Sequence, residues 1–348
     1  MDTIALPKIY FQPKTSRYQP NSNNPNQISS KIKILTVKEC KLANFGHIAL
    51  DESQTAILAS MNRQIILLCR SLPASLQDAA VAAIQRYYTG FEVANLLTFF
   101  TKFYVPSWSL IYWMQQANPI LQTLELENAF SGQAMAYFLH MLDDHLANGK
   151  IPTNHLFLHL HTSAWTKFHH AAKALSKNIH NGAELVTELI DNYFSSIQET
   201  TEIDSINSYC NVFRKQLSTT LVIPLLVAKH TGFETTLIRQ IYESFGVAWR
   251  LLDDLRDCSH DAFAGELSAI YYLLPLEERQ LWLNCQGKDE QSNDWQKLQS
   301  YLEQQGILRK LISHICTALK KAQKNADLAK LPAYATQLRQ LAAPLWEM

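Results

Sequence analysis

The chain has 348 residues, 47% of them hydrophobic, and its 31 Lys and Arg are balanced by 31 Asp and Glu. That balance leaves no basic surplus to neutralise the phosphates of a nucleic acid or an anionic membrane surface, which argues against either as a partner. Six scattered cysteines with no C-x-x-C pair exclude a disulfide framework and a zinc cluster and fit a reducing, cytoplasmic compartment.

The opening "MDTIALPKIYFQP" lacks a basic segment followed by an apolar run, so no secretory signal is expected. Residues 13–30, "PKTSRYQPNSNNPNQISS", have the Pro, Asn, Ser and Gln content of a mobile tail. Residues 1–50 are therefore expected to form a partly disordered N-terminal arm, and residues 51–348 one helical domain. From Ser53 onward, segments such as "SQTAILASMNRQIILLCRSL", "AELVTELIDNYFSSIQET" and "ETTLIRQIYESFGVAWRLLDDLRD" repeat apolar residues every three or four positions, the period of an amphipathic helix. Asn118-Pro119 has the pattern of an N-cap followed by a first-turn proline. Pro224 falls inside the apolar run "LVIPLLVA" and predicts a kink there; the run is far shorter than the roughly 18 residues of a membrane span. Ten glycines and no strand-loop-helix alternation leave a Rossmann or P-loop arrangement without support. The fold class is all-α, a single large helical bundle.

Two acidic clusters stand out in chain order. "HMLDDHLANGKIPTNH", residues 140–155, ends an apolar helical run with Asp143 and Asp144, where the backbone dipole repels anions. "FGVAWRLLDDLRDCSHD", residues 245–261, does the same with Asp253, Asp254 and Asp257, and Arg250 lies three residues before the first of these and four before the second. An Asp-Asp pair alone also fits a solvated helix surface. Its recurrence behind two apolar helices favours one shared role, because carboxylates that repel one another are reconciled by a divalent cation, and Mg²⁺ is typically held by one or two carboxylates together with substrate phosphates.

These stretches resemble the class I isoprenoid synthases, the trans-polyprenyl diphosphate synthases and the terpene cyclases that share their bundle. "DDHLANGKIPTNH" is similar to the first aspartate-rich motif of that family, "FGVAWRLLDDLRD" to the second, of form DDxxD, and "YCNVFRKQL" to the segment whose lysine, here Lys215, reaches the diphosphate. The likeness spans roughly residues 95–260. It departs in two places. Chain-elongating members carry a glycine-glycine-lysine-arginine-x-arginine-proline segment for the second diphosphate. Here "FTKFYVP" keeps Lys102 and Pro106 but has Phe100, Thr101, Phe103 and Val105 in place of the glycines and arginines, which removes two bidentate phosphate donors. In the first motif the third acid is missing, and Asn148 offers only an amide oxygen.

The resemblance implies a bundle with a central apolar cavity. It assigns catalysis to Asp143, Asp144, Asp253 and Asp254, and the holding of Mg²⁺, three ions with bound diphosphate, to these together with Asn148 and Asp257. Arg214, Lys215 and Arg250 would bind the diphosphate. Tyr137, Phe138, Trp165, Phe213, Phe245 and Trp249 would line the pocket, and Phe138 near its floor implies a short or medium prenyl chain; each of these aromatics also fits ordinary core packing. Seven histidines between His140 and His170 crowd the same region, but without H-E-x-x-H or a cysteine pair they do not make a zinc site. The expected activity is that of a Mg²⁺-dependent terpene synthase or atypical prenyltransferase, most simply a homodimer, that ionises an allylic prenyl diphosphate of geranyl to geranylgeranyl length. The alternatives are a chain-elongating synthase using isopentenyl diphosphate and a non-catalytic regulatory subunit.

Overall fold

The computed structural model describes residues 34–88, 96–147, 149, 151–198 and 203–348, and every regular element among them is helical. A single turn, α1 (Val37–Cys40), opens at Thr36, whose hydroxyl accepts the Glu39 N–H while the Glu39 carboxylate accepts that of Thr36. Asp51 and Gln54 repeat this reciprocal cap at the start of α2 (Glu52–Arg70). There follow α3 (Ala74–Tyr88), a 3₁₀ turn at Leu96–Lys102, α4 (Pro106–Ala117), α5 (Thr123–Ala147), α6 (His155–Ser176), α7 (Gly182–Gln198), α8 (Ile206–Gln216), α9 (Ser218–Thr231) and α10 (Thr235–Arg256). The C-terminal third adds α11 (Cys258–Ala264), α12 (Ala269–Leu273), α13 (Arg279–Leu283), α14 (Asn293–Gln304), α15 (Ile307–Leu328) and α16 (Pro332–Trp346).

Two helices organise the bundle. α5 packs against α2, α4, α6 and α9, and α10 against α4, α8, α9, α12 and α15. Phe130, Ala134, Phe138 and Leu142 are buried on α5, but so are Tyr137, Met141 and Gln133 on its other sides, as in a helix surrounded by protein. α4 and α9 are common neighbours of both, so α5 and α10 face each other across a gap. None of the described helices is long and apolar enough to cross a membrane.

Three local findings refine the sequence expectations. Residues 34–50, assigned to the arm, carry Leu35, Val37, Cys40, Phe45 and Ile48 as buried side chains. Gly46 lets this segment lie on α16: its N–H reaches the Leu341 carbonyl at 2.9 Å, and a Cβ there would stand 2.1 Å from the Gln340 carbonyl oxygen. Asn118 does not open a helix but closes α4, and its amide donates to the Thr231 carbonyl at the end of α9 at 2.8 Å. The helical assignment of α9 runs through Pro224. A proline has no N–H for the carbonyl four residues back. The carbonyl so released, that of Thr220, accepts from the Gln133 amide at 3.1 Å, which ties α9 to α5.

Candidate active site

The gap between α5 and α10 is a cavity with about 520 Å³ of empty space, its open mouth included, within the usual size range of small-ligand pockets. Its α10 wall is one stripe at helical spacing: Tyr242, Phe245 with Gly246, Trp249 with Arg250, and Asp253. α5 contributes Tyr137, His140 and Met141 to the opposite wall. Phe213 and Leu217 come from α8 and the joint after it, and Phe103 and Ser107 from the approach to and start of α4. Gly246 allows the close contact of α10 with that joint, since a Cβ would sit 2.3 Å from the Leu217 Cδ1. The rings form a continuous aromatic surface: Phe103 lies 5.0 Å from Tyr137 and 5.8 Å from Trp249 between centroids, and Phe245 6.1 Å from Trp249.

The innermost groups are polar but satisfied in one direction. The Tyr137 hydroxyl donates to the Ser107 carbonyl at 2.6 Å, so the hydrogen between Tyr137 and Tyr242, 2.7 Å apart, comes from Tyr242, which in turn accepts from the Gln133 amide at 3.2 Å. Burial raises both phenols, Tyr242 to about 12 and Tyr137 well above its usual value, and keeps them neutral.

At the other end the two α10 aspartates have different surroundings. Successive residues of a helix point about 100° apart. Asp253 lines the cavity, whereas Asp254 turns into the protein: its Oδ1 pairs with Arg250 Nη2 at 3.0 Å, and its Oδ2 accepts from the Tyr209 hydroxyl at 2.7 Å and the Ala269 N–H at 3.0 Å. Both oxygens of Asp254, expected from the sequence to bind metal, therefore already carry a partner within the protein. Arg250, only 6% exposed, gives Nη2 to Asp254 and Nε to the Tyr209 hydroxyl at 2.8 Å. Its Nη1 has no hydrogen-bond partner among the described residues, and Arg250 lines the cavity. Asp257 is half-buried at the end of α10, and burial raises its carboxyl above the usual range.

On α5, Asp144 is buried, and Asp143 is held from the side away from α10, by His161 Nε2 of α6 at 2.9 Å and the Tyr193 hydroxyl of α7 at 2.5 Å. The indole N–H of Trp165 also points at His161 Nε2, at 3.1 Å. One nitrogen cannot donate to the carboxylate and accept from the indole at once, so the tautomer that serves Asp143 leaves the Trp165 contact without a hydrogen bond.

Other sequence-predicted residues lie elsewhere. Arg214 donates to Asn211, and Lys215 is exposed; neither lines the cavity, because α8 presents Phe213 to it and these next two residues rotate away. Phe138 is one residue past Tyr137 and packs instead near Phe99, 6.1 Å between centroids. Trp165 stacks on Phe194 of α7, 5.7 Å away, outside the lining. Asn148 lies outside the described residues. Conversely, His140 is a lining residue given no role by the sequence; its spacing of three from Asp143 and four from Asp144 was the available signal.

Among the described residues no group of three or more His, Cys, Asp and Glu side chains is placed to hold a metal ion. The donor chemistry nevertheless suits a hard cation that completes its shell from phosphate: Asp253 at the cavity, Asp257 one turn on, and Asp143 and Asp144 on α5 within one turn of the lining residues His140 and Met141. His140 senses both sides, Asp143 and Arg250 each acting on its charge.

No protein-family model and no curated protein matches the sequence. Solved structures do match in shape. An octaprenyl pyrophosphate synthase from Helicobacter pylori superposes with a TM-score of 0.56 at 13% identity, covering 83% of this chain and 99% of that one. A geranylgeranyl pyrophosphate synthase from Lactobacillus brevis gives 0.61 at 12% identity, over 84% and 96%. A polyprenyl synthase from Caulobacter crescentus, complexed with calcium and isoprenyl diphosphate, gives 0.56 at 13%, over 89% and 97%. At these identities the likeness is one of fold, an all-helical bundle shared with these synthases.

Proposed function

We propose that the protein ionises an allylic prenyl diphosphate, of geranyl to geranylgeranyl length, inside the α5–α10 cavity. The observation that carries this is the α10 stripe, which sets Arg250, whose Nη1 has no hydrogen-bond partner among the described residues, and Asp253 at one end of an aromatic-walled cavity. Arg250 Nη1 would donate to a diphosphate oxygen, and its fixed pairing with Asp254 and Tyr209 holds the donor in place before the substrate arrives. Asp253, with Asp257 and the α5 acids, would hold Mg²⁺, which when bound neutralises charge on the leaving diphosphate. The substrate's C–O bond then breaks with both electrons on the diphosphate. The rings of Phe103, Phe245 and Trp249 offer their negative faces to the allylic cation, and the surrounding apolar wall keeps water from it.

One further feature favours ionisation of a single diphosphate. Arg250 is the sole cationic side chain among the described lining residues, and Phe103, in the segment where elongating enzymes keep arginines, contributes a ring instead. The second reading is chain elongation with isopentenyl diphosphate, supported by the octaprenyl and geranylgeranyl pyrophosphate synthases of the same fold.

The test is an incubation of purified protein with Mg²⁺ and geranyl, farnesyl or geranylgeranyl diphosphate, each with and without isopentenyl diphosphate. Diphosphate release with a hydrocarbon or alcohol product in its absence is expected, and loss by about 100-fold or more in Asp253→Ala and in Arg250→Met is the order seen when a transition-state donor is removed. Longer diphosphates formed only with isopentenyl diphosphate would establish elongation instead.

A further inference from the structure

We infer that His140 accepts the proton that ends the reaction, so that the product is an olefin rather than a water-captured alcohol. This rests on the ionisation proposed above and adds to it the fate of the cation.

The inference follows from the groups present. Among the described lining residues the titratable side chains are His140, Tyr137, Tyr242, Arg250 and Asp253. The two tyrosines are neutral phenols whose hydrogens are committed along the chain that ends on the Ser107 carbonyl. Arg250 is a cation paired with Asp254. Asp253 stands beside Arg250, where the diphosphate would be held. His140 is left, half-buried, with no hydrogen-bond or ion-pair partner among the described residues. Its charged neighbours are Asp143 on its own helix and Arg250 opposite. An imidazole without a hydrogen-bond partner keeps, in its neutral form, a ring-nitrogen lone pair to offer.

Its depth suits that role. Three residues before Asp143 is about 4.5 Å further in along the helix axis, and three after Tyr137 is the same distance out. His140 thus stands level with the middle of the cavity, beside carbons beyond the one that lost the diphosphate. In the step a C–H bond next to the cationic carbon breaks, its electron pair becomes the new C=C bond, and the proton moves to an imidazole nitrogen. Released diphosphate or water takes that proton as the site opens.

The test compares wild type with His140→Gln and His140→Asn in ¹⁸O-labelled water and Mg²⁺, using whichever of the three allylic diphosphates the wild type turns over. The measured quantity is olefin formed per diphosphate released, a ratio that does not depend on how fast either appears, and circular dichroism identifies a folded variant. Wild type should give mainly unlabelled olefin. A folded variant should lower the ratio by about 100-fold or more, the lower end of the range for losing a positioned base, with ¹⁸O-labelled alcohol in its place. An unchanged ratio in either folded variant, or wild-type product that is already mainly ¹⁸O-alcohol, would overturn the role of His140 while leaving ionisation standing. Absence of diphosphate release by wild type with every substrate would overturn ionisation, and the role of His140 with it.

Discussion

Asp253 and Asp254 are adjacent and chemically identical, yet the structure separates them by surroundings, and their substitution should separate too. Removing Asp254 leaves the Arg250 guanidinium buried without its partner, which in comparable sites costs about 3–5 kcal/mol. Asp254→Ala should therefore lower the free energy of urea unfolding by that order, and Tyr209→Phe, which removes one hydroxyl from the same network, by about 1–2 kcal/mol. Asp253→Ala should cost less stability than Asp254→Ala, because Asp254 is the carboxylate paired directly with the buried guanidinium, while abolishing diphosphate release. Equal losses of stability for the two aspartates would refute the division of roles. Part of it was legible in the sequence, since Arg250 stands four residues before Asp254, the spacing of a helical ion pair. What spacing could not supply is Tyr209 and the Ala269 N–H, which reach Asp254 from other elements and fix which aspartate turns inward. For the same reason Phe138 and Trp165 were unreadable as pocket or packing: a rotation of one residue about a helix decides it, and the neighbouring helices set that rotation.

At the scale of the element, Pro224 shows how a local rule becomes a tertiary contact. The Thr220 carbonyl, deprived of its helical donor, is served by Gln133. Gln133→Leu should then strand a buried carbonyl and lower stability by about 1–3 kcal/mol in urea unfolding. Pro224→Ala restores an N–H to that carbonyl, so the same Gln133→Leu change should cost less in its presence. A double-mutant cycle with no coupling between the two positions would show that they act independently. Gly246→Ala belongs to the same scale: the added Cβ would fall 2.3 Å from Leu217 Cδ1, forcing α10 away from the joint after α8 or Leu217 into the cavity. A loss of about 1–3 kcal/mol, the usual effect of overpacking, is expected in thermal or urea unfolding. The helices themselves were legible because their apolar period is long and regular. The boundaries were not: the packed stretch from Leu35 to Ile48 has no helical period, and Asn118-Pro119 carries the residues of a helix start where the chain makes a helix end.

For the whole molecule, the balance of buried acids sets the direction in which pH acts on stability. Burial raises Asp261 to about 7, and raises Asp257 and Glu243 above the carboxylate range, whereas the unfolded chain ionises its Asp near 3.8. Between those values the folded state binds more protons than the unfolded one, so this contribution to stability is present below about pH 4 and is lost as the pH rises through 7 for Asp261. His140 acts in the opposite sense. Burial lowers it to about 4 from 6.5, so its folded form binds fewer protons in that window and its contribution grows with pH until about 6.5. Across pH 5 to 7 Asp261 therefore lowers stability while His140 raises it up to about 6.5, so His140→Gln, which removes the opposing group, should make stability fall more steeply with pH when divalent cations are chelated. The acids nearest the cavity are those proposed to meet Mg²⁺, so addition of the ion should raise the urea midpoint more at pH 7, where the carboxylates are ionised, than at pH 5. Urea titrations at both pH values, with chelator and with Mg²⁺, measure all of these contributions. A His140→Gln midpoint that rises from pH 5 to 7 in chelator would mean that the buried acids are better solvated or better paired than their burial implies. An equal effect of Mg²⁺ at both pH values would place its binding away from them.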